Sequence, residues 1–108
     1  MVEGNFKIYC FDLDLTLCHT EGTNYAASVP YQERINRVNE LFSSGSVIKI
    51  LTARGSRTGL DLRELTEKQL RDWGVHYHEL HFGKPDADVY IDDKGVNSET
   101  FPWHTKKI

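Results

Sequence analysis

Short apolar runs alternate with longer polar stretches along the chain, and this alternation predicts an α/β fold. The apolar runs are rich in Ile, Val, Phe and Tyr and are too short for helices that would bury them on all sides, so they are typical of strands. They cover residues 6–11, 46–51, 77–82 and 88–92.

The two polar stretches between the first three runs carry apolar residues at helical spacing. The first predicted helix lies within residues 28–45, where Ser28 could cap it, Pro30 suits its first turn and Gly45 suits its end. The second predicted helix, or pair of short helices, lies within residues 62–74. The glycine- and asparagine-containing segment after the first run is predicted to be a loop.

The resulting order, βαβαββ, predicts a central parallel sheet with right-handed crossovers. We therefore expect a Rossmann-like three-layer sandwich, formed as one domain over residues 1–108. In such sheets ligands bind beyond the carboxyl ends of the strands, which is where functional side chains are expected.

Composition narrows the classes of partner more than it narrows the fold. The chain has 39% apolar and 27% charged residues and a formal net charge of −3, so bulk electrostatics argue against a nucleic-acid binder without excluding a local basic groove. Two cysteines without a disulfide framework suit a reducing compartment. With no apolar run long enough to span a bilayer and no apolar leader, the expectation is a cytoplasmic protein that has no membrane partner.

Polar side chains follow every predicted strand at its carboxyl end. Because parallel strands end at one edge of the sheet, these side chains are expected to converge there. In chain order they are Asp12 and Asp14, then Thr52, Ala53 and Arg54, then Lys84, and finally Asp92 and Asp93.

Four neighbouring carboxylates repel one another strongly unless a cation neutralises them. Oxygen ligands select a hard ion, and Mg²⁺ fits best because it keeps waters and accepts a phosphate oxygen. A lysine and a threonine beside that ion suit the other phosphate oxygens. The pattern predicts phosphoryl transfer, in which one carboxylate attacks phosphorus and a second moves the proton.

Four short motifs carry a resemblance to a known family. The stretches "DLDLT" (12–16), "ILT" (50–52), "GKP" (83–85) and "YIDD" (90–93) resemble the ordered motifs of the haloacid dehalogenase (HAD) superfamily. Each follows a predicted strand, and the resemblance covers nearly the whole chain. More narrowly, the chain is similar to small phosphatases of this superfamily that lack a cap domain and are associated with capsular polysaccharide biosynthesis.

The resemblance implies roles for individual residues. Asp12 would be the nucleophile, Asp14 the general acid and base, Thr52 a hydrogen-bond partner of the phosphoryl group, and Lys84 the balancing charge. The metal ligands would be Asp12, the backbone carbonyl of Asp14 and Asp92, with Asp93 a second ligand or an outer partner; which of the last two binds directly is left open. Leu15 departs from the glycine or asparagine of many relatives, and it could form a dry wall beside Asp14.

The substrate is expected to be large, because no segment is long enough to form a cap over the site. A phosphorylated sugar or glycan precursor is favoured, and a lid from another subunit of a homo-oligomer is an alternative. His19 follows the first strand and could contact substrate, as could Ala53 in the loop after Thr52. Arg54 and Arg57 could each hold a substrate anion or be solvated loop charges.

Two other functions stay open at this level. An uncovered site could admit a nucleic-acid end, which would make the chain a 3′-phosphatase, although the acidic balance and the missing aromatic–basic stripe oppose this. A non-catalytic module that binds phosphate or a partner is the second alternative, and the full set of expected catalytic residues argues against it.

Overall fold

The structure is a computed structural model that describes residues 7–104. Its strands and helices follow the predicted order over most of the chain. A small hairpin that was not predicted lies between the first strand and the first helix. A 3₁₀ turn, Tyr25–Ala27, lies between the two hairpin strands. The elements are β1 (Ile8–Asp12), β2 (Cys18–His19), β3 (Val29–Pro30), α1 (Gln32–Ser43), β4 (Val47–Thr52), α2 (Arg63–Asp72) and β5 (Glu79–Phe82).

The main sheet has three parallel strands in the order β1–β4–β5, so the predicted α/β class with a parallel sheet is confirmed. Strand β4 is central, and its Ile50 lies opposite Phe11 of β1 and Leu80 of β5. All three strands therefore end at the same edge, which is the edge where the sequence places its polar side chains.

One face of the sheet carries the hydrophobic core. Along β4, Ile48, Ile50 and Thr52 are buried and alternate with half-buried residues, as expected for a strand covered on one side. The buried residues of both helices join this face in one cluster, since two successive right-handed crossovers in the same direction place their helices on the same side. The cluster comprises Phe11, Leu13, Leu17, Cys18, Ile35, Val38, Leu41, Ile48, Ile50, Leu70 and Val75.

The other face of the sheet is open among the described residues. Ile8 is 68% exposed, and Cys10, Glu79 and His81 on the same face are also exposed. Within residues 7–104 the helices form a single layer, so the predicted three-layer sandwich is not what the structure shows.

The fourth predicted strand is wrong. Residues 88–92 are irregular, with Val89 69% and Ile91 91% exposed, and β1 stays at the edge of the sheet. Strand-forming residues favour a strand only when a neighbour completes the hydrogen-bond ladder, and here no such pairing forms. The chain instead returns to the core further on, where Phe101 and Trp103 pack against the ring of Phe11.

The boundaries of the first helix also differ from the prediction. Val29–Pro30 pairs with Cys18–His19 as an antiparallel hairpin, so α1 begins at Gln32, after Tyr31, rather than near Ser28. Its end agrees with the prediction, since Gly45 adopts φ 104°, a left-handed conformation that favours glycine. The second helix forms as one piece, Arg63–Asp72. Neither helix has the length and apolar character needed to cross a membrane.

Candidate active site

The carboxyl ends of β1, β4 and β5 bring together three of the residues singled out from the sequence. Lys84, two residues after β5, donates its backbone N–H to the carbonyl of Thr52 at 3.2 Å. Its ammonium Nζ lies 3.4 Å from Oδ1 of Asp12. The sheet topology thus places a lysine against the carboxylate that ends β1, as the parallel arrangement predicts.

Asp12 lies in a partly shielded position, with its side chain 33% exposed. Its Oδ2 accepts a hydrogen bond from the Thr16 hydroxyl at 3.2 Å. Burial raises the pKa of Asp12, and the nearby Lys84 ammonium and the hydrogen bonds offset part of that rise. The carboxylate is therefore partly exposed and held between a cation and a hydroxyl, an arrangement that suits a nucleophile for an anionic substrate.

Asp14 follows β1 in a tight turn and is held more firmly than Asp12. Its Oδ1 accepts a hydrogen bond from the Thr20 hydroxyl at 2.6 Å, and Thr20 in turn lies 2.6 Å from the hydroxyl of Ser28. The guanidinium of Arg54 contacts both carboxylate oxygens, with Nη2 2.9 Å from Oδ1 and Nε 3.0 Å from Oδ2. The carboxylate is thus fixed by a charged fork and a hydroxyl.

Arg54 is buried and is not placed to contact a substrate. Its side chain has 0% exposure. Besides Asp14, the guanidinium donates to the hydroxyls of Ser28 and Thr66 and, at 2.6 Å, to the side-chain carbonyl of Gln69. Since a guanidinium has five N–H donors, these partners occupy all of them. The alternative of a solvated loop charge does not describe Arg54 either.

Thr52 ends β4, beside the strand end that carries Asp12, and Ala53 follows it. Thr52 is fully buried, and its Oγ1 accepts a hydrogen bond from the backbone N–H of Arg54 at 3.1 Å. That acceptor role leaves the hydroxyl proton available for donation. Ala53 is half-buried at the start of the following loop.

His19 and Arg57, both considered for substrate contact, point to the surface. The His19 ring is 48% exposed and pairs with the Glu21 carboxylate at 2.5 Å. Arg57 is 79% exposed and pairs with Asp86. These contacts involve exposed carboxylates rather than the Asp12 and Asp14 carboxylates.

Asp92 and Asp93 are not gathered with the first two aspartates. Oδ1 of Asp92 accepts hydrogen bonds from the backbone N–H groups of Lys94 and Gly95, and these bonds lower the pKa of Asp92. The Asp93 side chain is 83% exposed and lies 3.4 Å from the Lys94 ammonium. Across residues 7–104, no three histidine, cysteine or acidic side chains come close enough to hold a metal ion. The predicted set of four ligands is therefore not assembled in this arrangement.

Several contacts at the site were not anticipated from the sequence. Thr16 and Tyr90 each belong to a motif quoted from the sequence, "DLDLT" and "YIDD"; Thr16 contacts Asp12, and the Tyr90 ring lies 4.4 Å from the Lys84 ammonium. The other contacts have no signal of spacing. They are Thr20, Tyr25 and Ser28 in the hairpin region, and Thr66 and Gln69 on α2.

A concave surface lies beside this group. It has a volume of about 230 Å³ and is lined by residues 54–56 and 59–63 together with Phe82 and Gly83. Its walls come from the loop after β4 and the end of β5, the two strand ends that carry Thr52 and Lys84.

Leu15 adopts a backbone conformation that is rare for a side chain other than glycine. Its φ is 66°, and its backbone N–H donates to the carbonyl of Cys18 at 2.7 Å, which closes the turn between Asp14 and the hairpin. The side chain is 57% exposed, so it does not form the dry wall beside Asp14 that the sequence suggested.

Replacing Leu15 should therefore change stability rather than chemistry. We expect Leu15→Gly to raise the free energy of unfolding by about 0.5–1 kcal/mol, since relief of left-handed strain outweighs the added freedom of the unfolded chain. Leu15→Ala is the matched control, because alanine keeps the Cβ that causes the strain and should give no gain. Urea unfolding measures both, and a gain with alanine equal to that with glycine would contradict the strain argument.

The comparisons with known proteins support the fold. No family model matches the chain, and no curated protein matches it. A solved structure from Vibrio cholerae, described only as an MCSG target, is similar to this chain with a TM-score of 0.78 and 28% sequence identity. The similarity covers 87% of this chain and 85% of the Vibrio cholerae chain. The α/β arrangement is thus one that a solved protein shares over most of its length.

Proposed function

We propose that the chain is a phosphomonoester hydrolase of the HAD type, acting through an aspartyl phosphate on Asp12. The observation that carries the proposal is the carboxylate of Asp12 at the end of a parallel strand, 3.4 Å from the Lys84 ammonium and hydrogen-bonded by Thr16. A nucleophilic carboxylate needs a cation beside it to accept a phosphate dianion, because two anions otherwise repel. The four ordered motifs support the same assignment.

In the first step of the proposed reaction, one oxygen of Asp12 attacks phosphorus. A bond forms between that oxygen and phosphorus, and the bond from phosphorus to the ester oxygen breaks. Lys84 offsets the charge on the transferring group, and the resemblance assigns to the Thr52 hydroxyl, which is fully buried in the structure, a hydrogen bond to a phosphoryl oxygen. The departing alcohol takes its proton from Oδ2 of Asp14, which among the described residues accepts one hydrogen bond, from Nε of Arg54, and so keeps a lone pair for that proton.

In the second step, water attacks the phosphorus of the aspartyl phosphate. Asp14, now ionised, takes the proton from this water, and the Asp12 carboxylate leaves as inorganic phosphate forms. Asp14 returns to its starting protonation state, so each turnover consumes one water and releases one alcohol and one phosphate.

We include magnesium dependence in the proposal only because the chain resembles HAD phosphatases. In the structure Asp92 contacts the backbone of Lys94 and Gly95 and Asp93 contacts the Lys94 ammonium, and no step above is assigned to the metal. When bound, such an ion would neutralise the phosphate and the nucleophile together.

The metal requirement is directly testable. We expect hydrolysis of p-nitrophenyl phosphate to be lost after dialysis against EDTA and restored by Mg²⁺, with Ca²⁺ restoring far less because it prefers larger and more flexible oxygen shells. Release of p-nitrophenolate measures the rate. Full activity in EDTA would remove magnesium from the proposal while leaving the nucleophile in place.

The substrate class follows from the segments that could cover the site. The described segments between β1 and α1 and between β4 and α2 form a short hairpin and a loop rather than a cap. We propose a sugar phosphate or another bulky phosphorylated metabolite, handled by a single cytoplasmic domain without nucleic-acid or membrane partners. A homo-oligomer stays compatible with this proposal.

A substrate panel tests the proposal as a whole. Phosphate release should be measured on p-nitrophenyl phosphate, a set of sugar phosphates and a 3′-phosphorylated oligonucleotide. Preferred turnover of sugar phosphates supports the proposal, and preferred turnover of the oligonucleotide identifies a 3′-phosphatase instead. Absence of turnover on every ester, with and without Mg²⁺, would point to a non-catalytic phosphate-binding module.

A further inference from the structure

We propose that Arg54 is the positioning residue for Asp14, and that it directs this carboxyl group at the leaving oxygen of the substrate. The inference rests on the proposed phosphatase activity, and it goes beyond it by assigning a role to a buried arginine that does not touch substrate. It starts from an unusual placement, since arginine is rarely buried completely unless it is paired.

The contact between the two side chains is a fork rather than a single bond. Nη2 of Arg54 lies 2.9 Å and Nε 3.3 Å from Oδ1 of Asp14, while Nε lies 3.0 Å from Oδ2. Two donors in a rigid plane fix both the position and the tilt of a carboxyl group, which a lysine ammonium cannot do. The Thr20 hydroxyl adds a third donor at 2.6 Å from Oδ1.

Arg54 is itself held in place from the opposite side. Its Nη1 donates to the hydroxyl of Thr66 at 3.1 Å and to Oε1 of Gln69 at 2.6 Å, both on α2. The ring of Tyr25 lies 4.8 Å from the guanidinium carbon, and Gln69 donates to the Tyr25 carbonyl at 2.6 Å. The arginine therefore joins the α2 helix and the hairpin region to one carboxylate at the strand edge.

This arrangement separates the two aspartates by task. Asp12 is one-third exposed and lies beside the Lys84 ammonium, whereas Asp14 is bound by Arg54, a group with no solvent exposure. A proton donor must lie within hydrogen-bond reach of the leaving oxygen, so an error in its orientation slows only substrates whose leaving group needs the proton. Arg54 should therefore matter most for poor leaving groups.

The test compares two esters on the same variant. We expect Arg54→Lys to lower kcat/KM for phenyl phosphate about 10- to 100-fold, and for p-nitrophenyl phosphate less than about threefold, since p-nitrophenolate departs without a proton. The ratio kcat/KM is the correct readout because it reports the step in which the leaving group departs. Arg71→Lys, an exposed arginine on α2, is the matched control and should leave both ratios unchanged.

The outcomes separate this inference from the proposed activity. Wild-type protein that hydrolyses neither ester defeats the proposed function, whereas active wild type with equal losses on both esters, or none, overturns the role of Arg54. Circular dichroism checks that Arg54→Lys is folded. If it is not, Gln69→Met decides, because Gln69 contacts Arg54 but not Asp14; the same selective loss supports the inference, and an unselective result overturns it.

Discussion

Asp12→Asn should abolish phosphatase activity, with kcat falling at least about 10³-fold on p-nitrophenyl phosphate. An amide oxygen is a poor nucleophile, and it cannot form the aspartyl phosphate on which the proposed mechanism depends. The variant keeps the size of the side chain and an oxygen for the Thr16 hydroxyl, which lies 3.2 Å from Oδ2. Loss of activity is thus expected without loss of structure.

The same variant should unfold at a higher temperature than wild type at neutral pH. Burial raises the pKa of Asp12, so its ionised form is less favourable in the folded protein than in the unfolded chain. A carboxyl group whose pKa is raised by folding stabilises the folded protein when the pH is below the pKa of that group in the unfolded chain. This stabilisation is lost as the pH rises through the pKa of the group in the folded protein. The gain of Asp12→Asn should therefore shrink as the pH is lowered.

Two measurements check this pair of effects. Rates of p-nitrophenolate release give the activity, and thermal unfolding at several pH values gives the stability difference. Glu64→Gln, an exposed carboxylate in the first turn of α2, is the control for removal of a negative charge. If Asp12→Asn keeps its activity, Asp12 is not the nucleophile. If the variant has a lower Tm than wild type at neutral pH, burial of the ionised Asp12 side chain does not destabilise the folded protein.

Ile50→Ala should have the largest effect on stability, with the free energy of unfolding reduced by about 3–4 kcal/mol. Ile50 is fully buried on the central strand, between Phe11 of β1 and Leu80 of β5. Truncation removes apolar contacts and leaves a cavity that neighbouring strands cannot close without losing their register.

Leu51→Ala provides the matched comparison, because Leu51 is the next residue of the same strand and faces the open side of the sheet. Its half-buried side chain should cost about 1 kcal/mol when truncated, since less area is lost and no closed cavity forms. Urea unfolding of both variants measures the difference. Equal costs at the two positions would contradict a sheet that residues 7–104 cover on one face only.

The prediction of the fold succeeded where a local pattern carried the information. A short run of strand-forming apolar residues predicted β4, and Gly45 predicted the end of α1. The meeting of Asp12, Thr52 and Lys84 followed from topology alone, because parallel strands must end at one edge. These features need only short-range sequence and the handedness of crossovers.

The prediction failed where a segment depends on a partner. Residues 88–92 have the composition of a strand, yet they form no ladder with β1, so Asp92 and Asp93 are not delivered to the site. Val29–Pro30 resembled the beginning of a helix, yet it pairs with Cys18–His19. In both cases the sequence of a short stretch is compatible with two structures. Whether the stretch forms backbone hydrogen bonds with another strand decides which structure it adopts.

By itself, the sequence determined the α/β class, the parallel central strands and the placing of Asp12 beside Lys84, since periodicity and chain direction fix these. Tertiary structure alone decided the surroundings of Asp14. Its partner Arg54 lies 40 positions away along the chain, and the groups that hold Arg54 come from the hairpin region and from α2. Such a contact leaves no periodic trace in a sequence, because a buried charge is stabilised by whichever partners the completed fold brings to it.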